Sequence, residues 1–189
     1  IAMHVLLAKC YKKINQTSKA VNEYKLILDL DPDNSIAIRE LADIYLAQNQ
    51  KISAIKMYKK FENFVDSNAE LLKVKLILAG LHTDLEEYNE AFEELFSIKE
   101  VYPEDMEVNK KLIELYIKTK DFENATNLCK ELLMSIQDDN FSLWLLQNLV
   151  NIYYALKNYD EALEYANSML EHPFADKVST KALIAKIYI

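Results

Sequence analysis

The 189-residue sequence contains one glycine, three prolines and one tryptophan. β-Sandwiches and alternating α/β folds need frequent tight turns, and those turns draw on glycine and proline. Their scarcity excludes both classes and leaves helices. With Gly80 as the sole glycine, neither a glycine-rich phosphate loop nor a nucleophile elbow can be built. The two cysteines, Cys10 and Cys129, lie far apart in sequence. They read as reduced thiols carried on helices, which favours a cytoplasmic setting. No apolar run approaches eighteen residues, so no membrane insertion is expected. The opening IAMHVLLAKC runs apolar into Cys10, but Lys9 stands where a lipid-attachment site needs a small residue. That stretch reads as a helix.

Basic residues are the minority, 22 against 30 acidic, for a net charge of −8. Such a chain repels a phosphate backbone, so nucleic acid is not an expected partner. His4, His82 and His172 fall at unrelated positions, with no ligand pair at i, i+4. No metal site, cofactor or catalytic constellation is expected, and the paired carboxylates Glu86–Glu87 and Glu93–Glu94 read as solvated helix surface.

What the chain does have is apolar residues, 51% of the total, arranged in short stripes. Leu146, Leu149, Val150 and Tyr153 fall at i, i+3, i+4 and i+7, one face of a helix. Lys157 and Asn158 interrupt the stripe. Tyr159, Ala162, Ala166 and Met169 resume it, and Pro173 stops it. Two short amphipathic helices cannot bury their faces alone and need neighbours of the same kind. The sequence supplies them: Ala20, Ala54, Ala91, Ala125 and Ala162 follow at steps of 34, 37, 34 and 37. Tyr11, Tyr45, His82, Tyr116 and Tyr153 keep the same steps. This period predicts an α-solenoid, with the small residue admitting a close helix crossing.

The first copy sets Leu7, Ala8 and Tyr11 against Ala20, Tyr24, Ile27 and Pro32. The second sets Leu41, Ala42 and Tyr45 against Ala54, Tyr58 and Phe61. The pattern resembles the tetratricopeptide repeat. Five copies are expected at about 1–34, 35–68, 72–105, 106–139 and 143–176, with the first helix of a sixth over 178–189, all in a single array 1–189. Departures are the missing proline after the second and fourth copies, and His82 in place of tyrosine. The resemblance implies an all-α, right-handed superhelix of antiparallel helix pairs. Such an array holds a protein or peptide segment in its concave groove and performs no catalysis of its own. It also implies two alternatives: a regulatory or targeting segment of a larger enzyme such as a glycosyltransferase, or a self-associating assembly protein.

Two three-residue insertions, around Ser67–Leu71 and Asp139–Ser142, predict an extra loop or turn at two joints. The alternation of 34 and 37 points to a two-repeat unit that was itself duplicated. Both ends look cut, and Ile184, Ile187 and Ile189 are expected to form an exposed apolar edge open to self-association.

The resemblance places groove residues on the polar side of each first helix. These are Lys9, Lys12, Lys13, Arg39, Asp43, Lys73, Asp84, Glu107, Lys110, Glu114, Lys118 and Lys186, together with Trp144, Gln147, Asn151 and Tyr154. Eight are basic and four acidic, so the groove should be net positive. Arg39–Asp43 and Lys110–Glu114 have the spacing of i, i+4 pairs. Trp144, Gln147, Asn151 and Tyr154 form the expected binding stripe, with Lys110 beside Gln147 to meet an acidic residue or free C-terminus. Arg39, Lys73 and Lys9 are further groove cations. Asp43, Glu114 and Ile77 occupy positions that make this unlike a chaperone-tail clamp.

Overall fold

The computed structural model describes residues 1–188, which form eleven α-helices and no strand. The helices are α1 (Ala2–Lys13), α2 (Thr17–Leu30), α3 (Ser35–Ala47), α4 (Lys51–Phe61), α5 (Asn68–Asp84) and α6 (Tyr88–Lys99). They continue with α7 (Met106–Lys118), α8 (Phe122–Ser135), α9 (Asp139–Ala155), α10 (Tyr159–Glu171) and α11 (Lys177–Ile187). A single 3₁₀ turn, Glu62–Phe64, follows α4. The chain divides into two compact units, with the boundary in sequence between Glu94 and Leu95.

In the first unit each of α1 to α4 packs on the next helix in sequence. Ala8, Ala20, Tyr24, Ile27, Ala37 and Leu41 form one core. Ala42, Ala54, Tyr58, Phe61 and Leu78 belong to a second core that carries it on. In the second unit α7 to α11 pack in the same sequential way. There Val150, Ala162, Ala166 and Ile187 make the last core. All five periodic alanines are fully buried. The expected all-α solenoid, with a small residue at each close crossing, is what the chain forms.

The turn inside every repeat is closed the same way, without glycine. Asn15, Asn49, Glu86, Lys120 and Lys157 all have left-handed backbones, with φ from 56° to 62°. The amide after each returns to the carbonyl of Tyr11, Tyr45, His82, Tyr116 or Tyr153 at 2.8–2.9 Å. That bond closes a Schellman motif and satisfies a carbonyl the helix end leaves open. The periodic aromatic therefore marks a backbone bond as well as a side-chain contact. His82 is buried, and its Nδ1 lies 2.6 Å from Glu87 Oε2.

Both insertions resolve as helix. They give α5 and α9 17 residues each, against 11 to 13 in the other first helices, by adding about one turn at the N-terminus. The expected apolar edge at the last helix is corrected: Ile187 is 6% exposed and packs on α10, with Leu183 and Ile184 partly covered beside it. Sequence periodicity missed this because α11 finds its partner in the preceding helix. Ile189 lies outside the described residues.

Candidate functional site

The site residues divide between the units. In the second unit, Asp105 caps α7 by accepting from the amides of Glu107 and Val108 at 3.0 Å. Buried Asn109 ties down the loop before it, donating to the carbonyls of Pro103 and Asp105. Asp138 caps α9 through the amide of Phe141 at 2.7 Å. The inserted turn of α9 thereby brings Phe141 onto Trp144, with rings stacked 5.6 Å apart at 12°. Asp105, Met106, Glu107 and Lys110 of the α7 end face Asp138, Asn140, Phe141 and Trp144 across an open pocket of about 400 Å³.

Lys110 is brought to the site but not to Gln147. Its ammonium lies over the Trp144 ring, 5.5 Å from the centroid, because a long stem gains more on an apolar ring face than on a solvated amide. Gln147 donates instead to Asn151 Oδ1 at 3.2 Å along the exposed face of α9. Tyr154, at the far end of the stripe, lies under the Lys186 ammonium at 5.4 Å and meets Tyr159 edge-on. The stripe is thus bracketed by a lysine from the first helix on either side.

The first unit holds a pocket of about 300 Å³ lined by Arg39, Tyr58, Phe61, Glu70, Lys73 and Val74, among others. Arg39, Ser67, Ala69, Glu70 and Lys73 stand 71 positions, one step of 34 and one of 37, before Lys110, Asp138, Asn140, Phe141 and Trp144. The two pockets are register equivalents, each built on an inserted turn. Arg39 pairs with Glu70 and lies over Phe61 at 5.6 Å. Asp43 accepts from the Tyr58 hydroxyl at 2.6 Å. Burial, with Asp43 second, pushes the Tyr58 phenol well above its usual range. Lys73 is exposed at the rim and Lys9 is exposed on α1, away from both pockets.

The expected i, i+4 pairs do not form. Arg39 takes Glu70 and Asp43 takes Tyr58, while Glu114 pairs with Lys111 at 3.5 Å. Lys12 pairs with Glu40, and Asp84 with Lys51 at 3.0 Å. Cross-helix partners such as Glu40 and Glu70, outside the groove count, neutralise much of the expected positive surface. Around Lys110 the pocket is lined by three carboxylates, Asp105, Glu107 and Asp138, against its one ammonium. Sequence reasoning missed Met106, Asp138 and Phe141; the signal available was the insertion, which sets one more turn in front of Trp144. Among the described residues no group of three His, Cys, Asp or Glu is placed to hold a metal ion. Nor is any helix long and apolar enough to cross a membrane.

A family model for the tetratricopeptide repeat matches residues 1–34 and 145–171. Anaphase-promoting complex subunit 3 of Dictyostelium discoideum is 46% identical over 41 residues, 22% of this chain and 4% of that protein. Human RanBP2-like and GRIP domain-containing protein 4 is 26% identical over 184 residues, 88% of this chain and 10% of that protein. The chain thus spans a tenth or less of the length of these relatives. The solved structure of YrrB, described as a TPR protein with an unusual peptide-binding site, matches with a TM-score of 0.68 at 17% identity. That match covers 95% of this chain and 89% of YrrB, and at such identity it shows the fold.

Proposed function

The chain is a tetratricopeptide-repeat protein, and from that premise we propose that it docks an extended segment of a partner protein along the first-helix face of its second unit, without catalysis. Repeats of this kind bind protein partners and are generally non-catalytic scaffolds. The observation that carries the reading is the Trp144 pocket. Helix caps, a stacked Phe141 and an inserted turn hold an indole half-open to solvent. Aromatics provide contact area at small entropic cost, and the amides of Gln147 and Asn151 can pair with a peptide backbone. Amide contacts contribute about 0.5–1.5 kcal/mol each, so the aromatic anchor sets affinity, on the order of micromolar. YrrB is described by its peptide-binding site, which supports the same use here.

Trp144 is the only tryptophan, so its emission reports on this site. The test is to capture partners with the chain and titrate their peptides against that emission. Asn151→Ala, read by the same emission, and Trp144→Ala, read by calorimetry because it removes the fluorophore, should both weaken binding. Normal binding by both variants would reduce this face to a solvated surface. A second reading, a regulatory or targeting segment of a longer protein, is favoured by the length of the relatives.

A further inference from the structure

We infer that the partner residue seated on Trp144 is basic, a lysine or arginine that takes the place of Lys110 on the indole and rests its stem on Phe141 and Met106. The inference rests on the docking reading above. The pocket brings the carboxylates of Asp105, Glu107 and Asp138 together against the one ammonium of Lys110. The N-termini of α7 and α9 offset about half a unit charge each, which still leaves it negative.

An ammonium already occupies the ring face, at 5.5 Å, so the pocket itself shows which charge it accepts. The way that ammonium is held makes it exchangeable. Arg39, at the equivalent place in the first unit, is fixed by Glu70. At the position equivalent to Glu70 the second unit has Phe141, so Lys110 has no carboxylate at that register and rests on a ring. A guanidinium would replace it with advantage, being planar, more weakly hydrated and better suited to stacking. An anionic side chain would instead enter against three carboxylates with a single cation to meet it.

The test uses two capped eight-residue peptides of one apolar composition, one carrying two arginines and the other two glutamates, each titrated against Trp144 emission. The arginine peptide should half-saturate at a concentration lower by about tenfold or more. Lys110→Ala should strengthen its binding about two- to fivefold, by removing a competitor and a repelling charge. Glu107→Gln should weaken it by a similar factor, whereas Glu164→Gln on α10, with the same change in net charge, should leave it unaltered. Equal affinities, a glutamate preference, or a Lys110→Ala chain that binds the arginine peptide less well would overturn the basic preference and leave the docking site standing. No response to either peptide up to millimolar concentration also overturns it. A captured partner that binds Trp144→Ala at native affinity sinks the docking reading instead.

Discussion

Lys120 and Lys157 stand 37 positions apart with the same left-handed backbone, φ 61° and 60°. Each holds the turn between the two helices of its repeat through the bond that the next amide, of Asp121 or Asn158, returns to Tyr116 or Tyr153. A lysine in this conformation carries roughly 1–2 kcal/mol of strain from its Cβ.

Replacing either lysine with glycine should therefore stabilise the chain. Relief of strain is partly offset by the greater freedom of glycine in the unfolded chain, about 0.5–1 kcal/mol, for a net gain of about 0.5–1 kcal/mol. Asn15→Gly should change little, because asparagine already tolerates this backbone. Urea midpoints of the three variants decide it. A Lys120→Gly chain less stable than the native one would mean the lysine stem contributes more than its strain costs.

The buried alanines give a second expectation. Ala91 and Ala125 are fully buried, while Ala47 is exposed at the end of α3. Leucine at Ala91 or Ala125 should overpack a close crossing and cost about 1–3 kcal/mol, and leucine at Ala47 should cost little. Equal losses in thermal melts at all three positions would contradict the repeat register.

The contrast between these positions also shows what the sequence made legible. Steps of 34 and 37 placed the five buried alanines that open the second helices, because a close helix crossing demands a small residue. Trp144 and Lys110 were placed in the expected groove by the tetratricopeptide-repeat resemblance rather than by the period. What they touch was not legible, because a long side chain chooses among several neighbours at similar cost. Thus Lys110 went to the ring rather than to Gln147, and Arg39 to Glu70 rather than to Asp43. The insertions were visible as three extra residues, but only their packing shows that they are helical and carry Phe141 to Trp144.

The two thiols should behave differently. Cys10 is exposed and Cys129 buried. Burial raises the Cys129 thiol from an ordinary value of 9.0 to about 12, so it stays a neutral, unreactive thiol at neutral pH. One equivalent of a thiol reagent should be consumed by the native chain and two after unfolding. Because the folded pKa is raised, the stability Cys129 contributes is fully present below pH 9 and is lost as the pH climbs towards 12. A Cys129→Ala chain should show a shallower alkaline decline in melting temperature, offset by a packing loss that is the same at every pH. Two thiols modified at equal rates in the native state would place Cys129 at the surface.

The inserted turn of α9 gives the last expectation, and it links a cap to the binding site. Asp138 accepts from the Phe141 amide at 2.7 Å and so holds the first turn of α9 closed. Ser67, at the equivalent position before α5, makes no such side-chain bond. Asp138→Ala should cost about 0.5–2 kcal/mol, and Ser67→Ala close to nothing. The loss at Asp138 should fall mainly on the turn that carries Phe141, because helix ends open locally before the whole unit unfolds. Trp144 would then lose its stacked neighbour, and its emission should move to longer wavelength and quench more readily with acrylamide. Peptide binding at the pocket should weaken in step with that change. If Asp138→Ala lowers stability but leaves the emission and quenching of Trp144 unaltered, Phe141 is held by its own packing, and the cap has no part in shaping the site.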